Sequence, residues 1–405
     1  MNSLWNPDVS NDTTRARQSA RLSIVYEGVA FGGVEEHVLL LLRHLRRAGF
    51  VVDVITPGSM IAVCPVLFRE RLAELDIPHI VGTPPRSRLP NVVSDITFMR
   101  QVFLQQRTSI VHIHNSNPDG GRRATIAARL ARVPVVVRSE HLPPSANLDF
   151  HSSVSLKLTD WMTDRFIVGS ESCRDEQLSL LGRDPQKTQN LYYGVDLDRF
   201  DPDHNVPAAK RALGLDPAIK TVGKVARLSP EKGHEYFIRS AAQVIATRGP
   251  TNFLIVGNGP RDAELRLLTE NLSISPYVHF LGYQADTVPL IEAMDVTVMS
   301  SINEGISLAM LENMAMGKPV VTSDEPSFVE TVVDGESGIV VPRRDPAAMA
   351  AALVRVLDDP ALISRLGKAA HTRVHAVFSA EVFVQQLVAL YNGLLHYTPD
   401  QQAAT

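Results

Sequence analysis

Two cations in the second half of the chain lie where a predicted strand passes into a predicted helix. Arg227 and Lys232 belong to the stretch RLSPEK, which Gly233 and a helical pattern follow. Two cations at such a junction could hold a diphosphate, because charge-assisted hydrogen bonds to phosphate oxygens are strong. An exposed pair of cations that binds no ligand is the alternative.

Two carboxylates, Glu304 and Glu312, stand at the ends of the run EGISLAMLE, after another predicted strand. We expect Glu304 to lie just before a helix and Glu312 about two turns into it, since eight helical residues span about 12 Å. The N–H groups of Gly305, Ile306 and Ser307 could then meet phosphate, and the carboxylates could accept hydrogen bonds from vicinal hydroxyls. A helix cap and a surface glutamate are the alternative.

Two loops rich in glycine follow strands as well. Gly32, Gly33 and Glu35 lie in EGVAFGGVE, and Gly257 and Gly259 lie in GNGP. Glycines let the backbone approach a ligand closely. Neither loop matches a phosphate-binding Walker motif, and the second has an aspartate where a dinucleotide-binding fingerprint needs its third glycine. A tight turn without a ligand is the alternative for the first loop.

A histidine in the triplet SEH, His141, directly follows a predicted strand, where it could donate to a sugar hydroxyl or carry a proton. His112 and His114 alternate with other residues along a different strand, and we expect one of them to face inward as a structural residue. Cys64 and Cys173 are too far apart for a disulfide framework or a metal motif, which favours a reducing compartment.

The scaffold for these residues is predicted from short β-branched runs that alternate with helical patterns in both halves of the chain. Such alternation indicates α/β architecture, with parallel sheets covered on both faces. The runs are too many for one sheet of usual size, so we predict two doubly wound, Rossmann-like domains. Ligands bind outside the carboxyl ends of such strands. The predicted strands cover residues 22–26, 50–55, 110–113, 134–137, 166–168, 190–193, 221–225, 253–256, 278–281, 296–299, 319–322 and 339–341.

The domain boundaries follow from the loop-rich segment Gly194–Val206, which shows no periodicity. We expect a flexible tail over residues 1–20, a first domain over 21–198, a second domain over 199–378 and a last helix within 379–398. Ser379 is a suitable N-cap for that helix.

Composition and charge narrow the class of protein. The 405 residues are 44% hydrophobic and 21% charged, which excludes a disordered or collagen-like chain. We find no apolar segment near 20 residues and no secretory signal, so we expect a cytoplasmic protein. Residues 1–195 carry 22 Lys and Arg against 19 Asp and Glu, a net +3, and the remainder carries 18 against 25, a net −7. This split predicts no nucleic-acid partner but suits weak contact with an anionic membrane or a phosphorylated acceptor; arginines that merely solvate helix faces are the alternative.

Taken in order, these motifs resemble those of the GT-B glycosyltransferases, specifically the retaining family 4 type, over about residues 22–396. The resemblance rests on GGVE (33–36), SEH (139–141), GVDLDRF (194–200), ARLSPEKG (226–233), VGNGP (256–260), the run 304–312 and DGESGIVVP (334–342). It implies two Rossmann-like domains that face each other across a cleft, with the acceptor on the first, the nucleotide sugar on the second, and the last helix crossing back to the first domain.

The resemblance also implies an activity. A retaining enzyme of this type moves a hexose from a nucleotide-diphosphate sugar to an acceptor hydroxyl, here for an envelope glycolipid, exopolysaccharide or other glycoconjugate, with no cofactor or metal. By the resemblance, Arg227 and Lys232 hold the donor diphosphate and Glu312 holds the ribose. Glu304 contacts the transferred sugar, and His141 lies near its reactive carbon.

The glycine-rich loops receive roles by the same resemblance. Donor-binding residues would be Gly33, Gly257, Gly259, Gly305, Ile306, Ser307 and Glu312; the acceptor-side loop would comprise Gly32, Gly33 and Glu35. The chain departs from the family at 324–327, where Asp-Glu-Pro-Ser replaces a common glycine pair; Glu330 still stands where the family's following glutamate is expected. Because that loop lies near the donor in the family, the departure bears on donor identity.

Two other functions fit parts of the pattern. An NAD(P)-dependent oxidoreductase would also have doubly wound sheets and glycine-rich turns, but its fingerprint fails at Asp262. A catalytically silent, glycosyltransferase-like binding protein would need neither the cations nor both glutamates.

Overall fold

The computed structural model describes residues 20–27, 32–61, 64–83, 90–115, 120–142, 150–200 and 205–396. The predicted tail over 1–20 therefore lies almost wholly outside the described residues. The strands are β1 Arg21–Glu27, β2 Val51–Thr56, β3 His79–Val81, β4 Ile110–Asn115, β5 Val135–Glu140, β6 Arg165–Val168, β7 Thr188–Asn190, β8 Thr221–Val225, β9 Asn252–Val256, β10 Val278–Gly282, β11 Val296–Met299, β12 Val320–Ser323 and β13 Ile339–Val341.

Helices follow most of these strands, as the alternating pattern predicts. They are α1 Gly33–Arg47, α2 Val66–Glu74, α3 Pro90–Gln106, α4 Arg122–Leu130, α5 Phe150–Trp161, α6 Glu171–Leu181, α7 Val206–Ala212, α8 His234–Arg248, α9 Asp262–Asn271, α10 Val288–Glu292, α11 Leu308–Ala315, α12 Pro326–Thr331, α13 Pro346–Leu357, α14 Pro360–Val377 and α15 Ala380–His396.

The chain divides into two compact units. The first unit takes residues 1–169, 173–191 and 383–405, and the second takes 170–172 and 192–382. The last helix begins in the second unit, and its residues from Phe383 onward belong to the first.

The first unit is built on a seven-stranded parallel sheet with the order β3-β2-β1-β4-β5-β6-β7. Every residue of β4 and β5 is buried, as expected for central strands that are covered on both faces. The strand order reverses between β1 and β4, so the loops after these two strands diverge to opposite faces. A ligand site is expected at this divergence.

The second unit repeats the plan with six parallel strands in the order β10-β9-β8-β11-β12-β13. Its reversal lies between β8 and β11, which pair through Val222 and Val296. One apolar core joins β8 and β9 to helix α8, through residues such as Phe237 and Phe253. The predicted α/β class with two doubly wound sheets is confirmed.

Helix α15 shows how the end of the chain packs on the first unit. Tyr391 is fully buried there, its hydroxyl lies 2.6 Å from Nδ1 of His112, and its ring meets Phe50 edge-on. The helix covers the predicted span, and Ser379 Oγ accepts the N–H of Val382 at 3.2 Å, as an N-cap should. The predicted return of the last helix to the first domain is confirmed.

Candidate active site

The reversal of strand order in the second unit brings Lys232 and Glu304 together. Lys232 follows β8, and Glu304 follows β11. Lys232 Nζ lies 2.5 Å from Glu304 Oε1, and Ser301 Oγ donates to the same oxygen at 3.0 Å. The Glu304 side chain is only 7% exposed and that of Lys232 only 20%. Two residues singled out from the sequence thus form a largely buried, charge-assisted hydrogen bond.

Arg227, the second predicted cation, is more exposed and has a carboxylate partner of its own. Its guanidinium donates to Glu231 Oε1 at 3.0 Å, and Ser229 Oγ donates to the same oxygen at 2.5 Å. Partial burial alone would raise the pKa of Glu231, but the hydrogen bonds from Ser229 and Arg227 outweigh it and lower that pKa. Each predicted diphosphate ligand is therefore already paired with a carboxylate, and neither Glu231 nor this pairing was predicted.

Glycines allow the loops of this region to touch backbone to backbone. A Cβ at Gly257 would lie 2.1 Å from the carbonyl oxygen of Ala226, and one at Gly259 would lie 2.4 Å from that of Leu228. Gly257 also has a φ of +138°, which side chains rarely adopt. Loop packing is thus sufficient to explain both glycines, and their predicted contact with a donor stays a prediction.

The loop between Glu304 and Glu312 differs from its prediction. Helix α11 begins at Leu308, and Ser307 caps it by accepting the N–H of Met310 at 3.4 Å. The expectation that helix spans the whole interval from Glu304 is therefore wrong. Because the Ser307 side chain caps the helix, its first residue is Leu308, three residues after Gly305. Glu312 lies half-buried, little more than one turn into the helix.

Gly305 and Ile306 consequently lie in a loop before the helix, and Gly305 is held there by Ser327, whose hydroxyl donates to its carbonyl at 2.7 Å. Their N–H groups remain candidates for phosphate, but they are not the first turn of a helix.

Glu325, in the segment that departs from the family, supports this loop. Its carboxylate accepts the N–H of Ser327 at 2.9 Å and that of Phe328 at 3.3 Å, which caps the short helix α12. The backbone N–H of Glu304 donates to the other oxygen at 3.4 Å. A side chain here holds the backbone on which Glu304 stands, where the family commonly has glycine.

A buried lysine, Lys224, lies behind the Lys232–Glu304 pair. It belongs to β8, is fully buried, and its Nζ has no hydrogen-bond partner among the described residues. Burial lowers the pKa of Lys224 to about 7, with a further contribution from the charge of Lys232. The sequence pattern did not single it out, because a lysine within a strand reads as an exposed position.

In the first unit, both carboxylate oxygens of Glu35 accept hydrogen bonds from neighbouring residues. One carboxylate oxygen accepts the hydroxyl of Tyr26, and the other accepts the N–H of Gly32 at 2.7 Å. Burial raises the pKa of Glu35 to about 7. Gly32 is the N-cap of α1 and Gly33 its first residue, both exposed, whereas residues 28–31 of the predicted loop lie outside the described residues.

His141 belongs to a cluster of four buried histidines. Its Nε2 lies 3.0 Å from Nδ1 of His114, whose ring lies 4.1 Å from that of His112. His112 Nε2 lies 2.8 Å from Ser139 Oγ, and the His37 ring lies 5.5 Å from that of His141. The expectation that only one of His112 and His114 faces inward is wrong, because residues two apart share one side of a strand and both are buried.

Comparison with known proteins decides the family. Residues 31–199 match the model described as Glycosyltransferase Family 4, and residues 219–359 match the one described as Glycosyl transferases group 1. The chain belongs to the family 4 glycosyltransferases. The resemblance seen in the motifs is confirmed, and the NAD(P)-dependent oxidoreductase is wrong.

Relatives of this glycosyltransferase are named as sugar transferases, which favours an active enzyme over a silent binding protein. The lipopolysaccharide core biosynthesis mannosyltransferase LpsB of Rhizobium meliloti is 30% identical over 51% of this chain, but the match covers only 60% of that protein. D-inositol 3-phosphate glycosyltransferases of Catenulispora acidiphila and Corynebacterium glutamicum are 26% and 25% identical over 83% and 90% of this chain, and 84% and 92% of theirs.

Solved structures agree on the fold. Anabaena Alr3699/HepE in complex with UDP and glucose has a TM-score of 0.80 at 20% identity, over 93% of this chain and all of that one. Sucrose-phosphate synthase from Thermosynechococcus elongatus has a TM-score of 0.74 at 23% identity, over the same shares. At these identities the likeness shows the fold of the glycosyltransferase and nothing finer.

Two absences among the described residues concern metals and membranes. Within the described ranges, no group of three or more His, Cys, Asp or Glu residues could hold a metal ion. None of the described helices is both long and apolar enough to cross a bilayer. The expectation of metal-free catalysis stays a prediction.

Proposed function

We propose that this glycosyltransferase moves a hexosyl group from a nucleoside-diphosphate sugar to a hydroxyl of a lipid-linked or saccharide acceptor, with retention at the anomeric carbon. The observation that carries the proposal is the buried Lys232–Glu304 pair, with the more exposed Arg227 on the same loop as Lys232. Relatives named as mannosyl- and inositol-phosphate glycosyltransferases, and a neighbour bound to UDP, support this class of donor and acceptor.

The proposed reaction needs no side-chain nucleophile. The bond between C1 and the leaving phosphate oxygen breaks, positive charge grows on the sugar ring, and negative charge grows on the diphosphate. The acceptor oxygen bonds to C1 on the same face and gives its proton to the departing phosphate. We assign Arg227, Lys232 and the N–H groups of the loop that contains Gly305 to the growing negative charge.

The remaining roles follow the parts of the donor. We assign Glu304 to hydroxyls of the transferred sugar and Glu312 to the ribose, because carboxylates accept from vicinal diols. His141 of the first unit is assigned to the transferred sugar as a neutral imidazole, since burial lowers its pKa to about 4. No metal enters the scheme, because the two cations supply the countercharge.

Three further assignments concern the glycine-rich loops. Gly257 and Gly259 are assigned to the nucleotide side of the donor, and Gly33 to its phosphates. The acceptor is assigned to the loop that contains Gly32 and Glu35.

We propose that the enzyme is located in the cytoplasm, with weak contact with an anionic membrane where the acceptor is lipid-linked.

The test is thermal shift with UDP-, GDP- and ADP-sugars, followed by assignment of the product anomer by NMR. A donor at 100 times its dissociation constant should stabilise the protein by about 2.7 kcal/mol. Lys232→Ala should abolish this shift, and Lys368→Ala, which removes an exposed lysine of α14, should retain it. An inverted product, or a shift that Lys232→Ala leaves intact, would overturn the proposal; no transfer from any donor would favour the silent binding protein.

A further inference from the structure

Helix α5 of the first unit has an apolar face that the described residues leave uncovered. Val154 and Leu158 are each 53% exposed, and Trp161 is 75% exposed, the highest value among the large hydrophobic side chains described. Their spacing of four and three residues places them on one side of the helix. Lys157 shares this side and is also exposed. We call these four residues the α5 face.

The rest of the helix is firmly held, so the α5 face is presented by a fixed support. Leu156 and Thr159 are buried on the opposite side. Ser155 accepts a hydrogen bond from Arg122 of the neighbouring helix, and Asp160 is bridged by Arg138 of β5 at 3.0 Å. The exposure of the apolar residues is thus a property of the folded unit and does not depend on opening of the helix.

Cations lie near the C-terminal end of helix α5. Lys187 reaches the helix end and donates to the carbonyl oxygens of Trp161 at 3.1 Å and Thr163 at 2.9 Å. Arg165 lies four residues beyond Trp161, the last residue of α5, and donates to the carbonyl oxygen of Asp164. Arg132 is exposed just after the end of α4. None of these three forms a salt bridge among the described residues.

Two acidic side chains, one in α5 and one just after it, are neutralised by arginines. Asp160 is bridged by Arg138 at 3.0 Å and by Arg183 at 3.1 Å. Asp164 is bridged by Arg129 at 2.7 Å. Asp160 and Asp164 are thus compensated, and among the described residues Lys157, Arg165 and Lys187 outnumber the exposed Asp184 near the α5 face, although the whole chain carries a net −4.

Size and chemistry decide between a lipid surface and a protein. Stable protein interfaces bury at least about 1,200 Å², far more than the three apolar side chains of one short helix face offer. Tryptophan flanked by lysine and arginine is typical of the boundary between water and an anionic bilayer. We propose that the α5 face docks on an anionic membrane, with Trp161 at the level of the lipid headgroups.

This proposal assigns the weak membrane contact of the proposed function to a defined surface of the first unit. It rests on the proposed function only in that the acceptor is lipid-linked. Helix α1, which carries Arg43, Arg46 and Arg47, is a weaker candidate. On α1, Arg46 already donates to the carbonyl of Leu75 and lies 4.0 Å from Asp76.

The test is co-sedimentation of the full chain with vesicles of phosphatidylcholine, with and without about one third phosphatidylglycerol. We expect binding to the anionic vesicles only, weakened by 0.5 M salt because the charges are screened. Trp161→Ala should lower the partition coefficient about tenfold, since it removes most of the inserted apolar area. Leu267→Ala, a matched change at a 56% exposed leucine of α9, should leave it unchanged.

A second readout locates the contact. In a Trp5→Phe chain, Trp161 is the only indole. Its emission should shift to the blue and be quenched by brominated lipid, and Lys157→Glu should weaken binding to anionic vesicles alone. Equal binding to neutral and anionic vesicles, or unchanged binding of Trp161→Ala, would refute the proposal.

A dimer that Trp161→Ala dissociates, without vesicle binding, would show that a second copy occupies the face and would overturn the proposal as well. The thermal shift with nucleotide sugars separates this result from the proposed function. Binding to vesicles without any thermal shift by a nucleotide sugar would refute only the proposed function. A thermal shift by a nucleotide sugar without binding to vesicles would refute only the proposed membrane docking of the α5 face.

Discussion

Lowering the pH from 7 to 5 should destabilise the first unit through its buried histidine cluster. Burial lowers the pKa of His112 to about 3 and that of His141 to about 4, and it lowers the pKa values of His37 and His114 well below their usual range. The imidazoles of His112 and His141 are therefore neutral in the folded protein at either pH. In the unfolded chain, a histidine with a pKa near 6.5 is mostly protonated at pH 5.

The sign and the size follow from proton uptake. Because the unfolded state binds more protons below pH 6.5, stability is greatest above that value and falls as the pH drops toward the lowered pKa values. At pH 5, each such histidine costs about 2 kcal/mol. His112 and His141 together cost about 4 kcal/mol, which is a large part of a typical stability of about 5–15 kcal/mol.

The assay is urea unfolding at pH 7 and pH 5, followed by far-ultraviolet circular dichroism. His114→Gln should reduce the loss of stability between the two pH values, because the amide cannot be protonated. His396→Gln, which changes an exposed histidine at the end of α15, is the control and should retain the full loss. If His114→Gln shows the same loss as the wild type, the reasoning fails.

Three further predictions concern the second unit. Glu304→Gln should lower kcat about 100-fold, because its charge acts where the sugar changes most, whereas Glu312→Gln should mainly raise the donor KM; steady-state kinetics in which the two effects are exchanged would reverse the roles. Gly233→Ala should cost about 1–3 kcal/mol, since φ is +61° and a Cβ would lie 2.1 Å from the carbonyl oxygen of Ser300. A melting temperature equal to that of the wild type would contradict this. Transfer should continue in EDTA, and activity that EDTA abolishes and Mg²⁺ or Mn²⁺ restores would show that a metal is required.

Much of the fold could be predicted because parallel strands and their helices carry strong local patterns. The last helix, α15, lies within its predicted range of 379–398. Edge strands were harder. β3 has only three residues and no long apolar run, so it was missed, and β7 spans Thr188–Asn190 where the apolar residues favoured 190–193. Leu191 and Tyr193 are buried, but by other contacts after the chain has left the sheet.

The candidate site was predictable where chemistry coincides with a loop after a strand, as at Lys232, Glu304 and His141. Contacts between distant residues were not. His112 and Tyr391 are 279 positions apart and meet only because α15 returns to the first unit. Glu325 appeared in the sequence as a departure from the family, and only its hydrogen bond from the backbone of Glu304 shows what it supports.

The pairing of both cations with carboxylates changes how a donor would bind under the proposed function. A diphosphate meets no unpaired charge at Lys232 or Arg227; it either shares each cation with its carboxylate, Glu304 or Glu231, or displaces that carboxylate. Removing a partner from a largely buried pair is costly unless a new one arrives, so Glu304 needs a donor group when Lys232 turns to phosphate. Hydroxyls of the transferred sugar can supply that hydrogen-bond donor, whereas a nucleoside diphosphate that lacks the transferred sugar cannot. Where the phosphate displaces Glu304 from Lys232, the pair therefore favours the intact donor over the spent nucleotide.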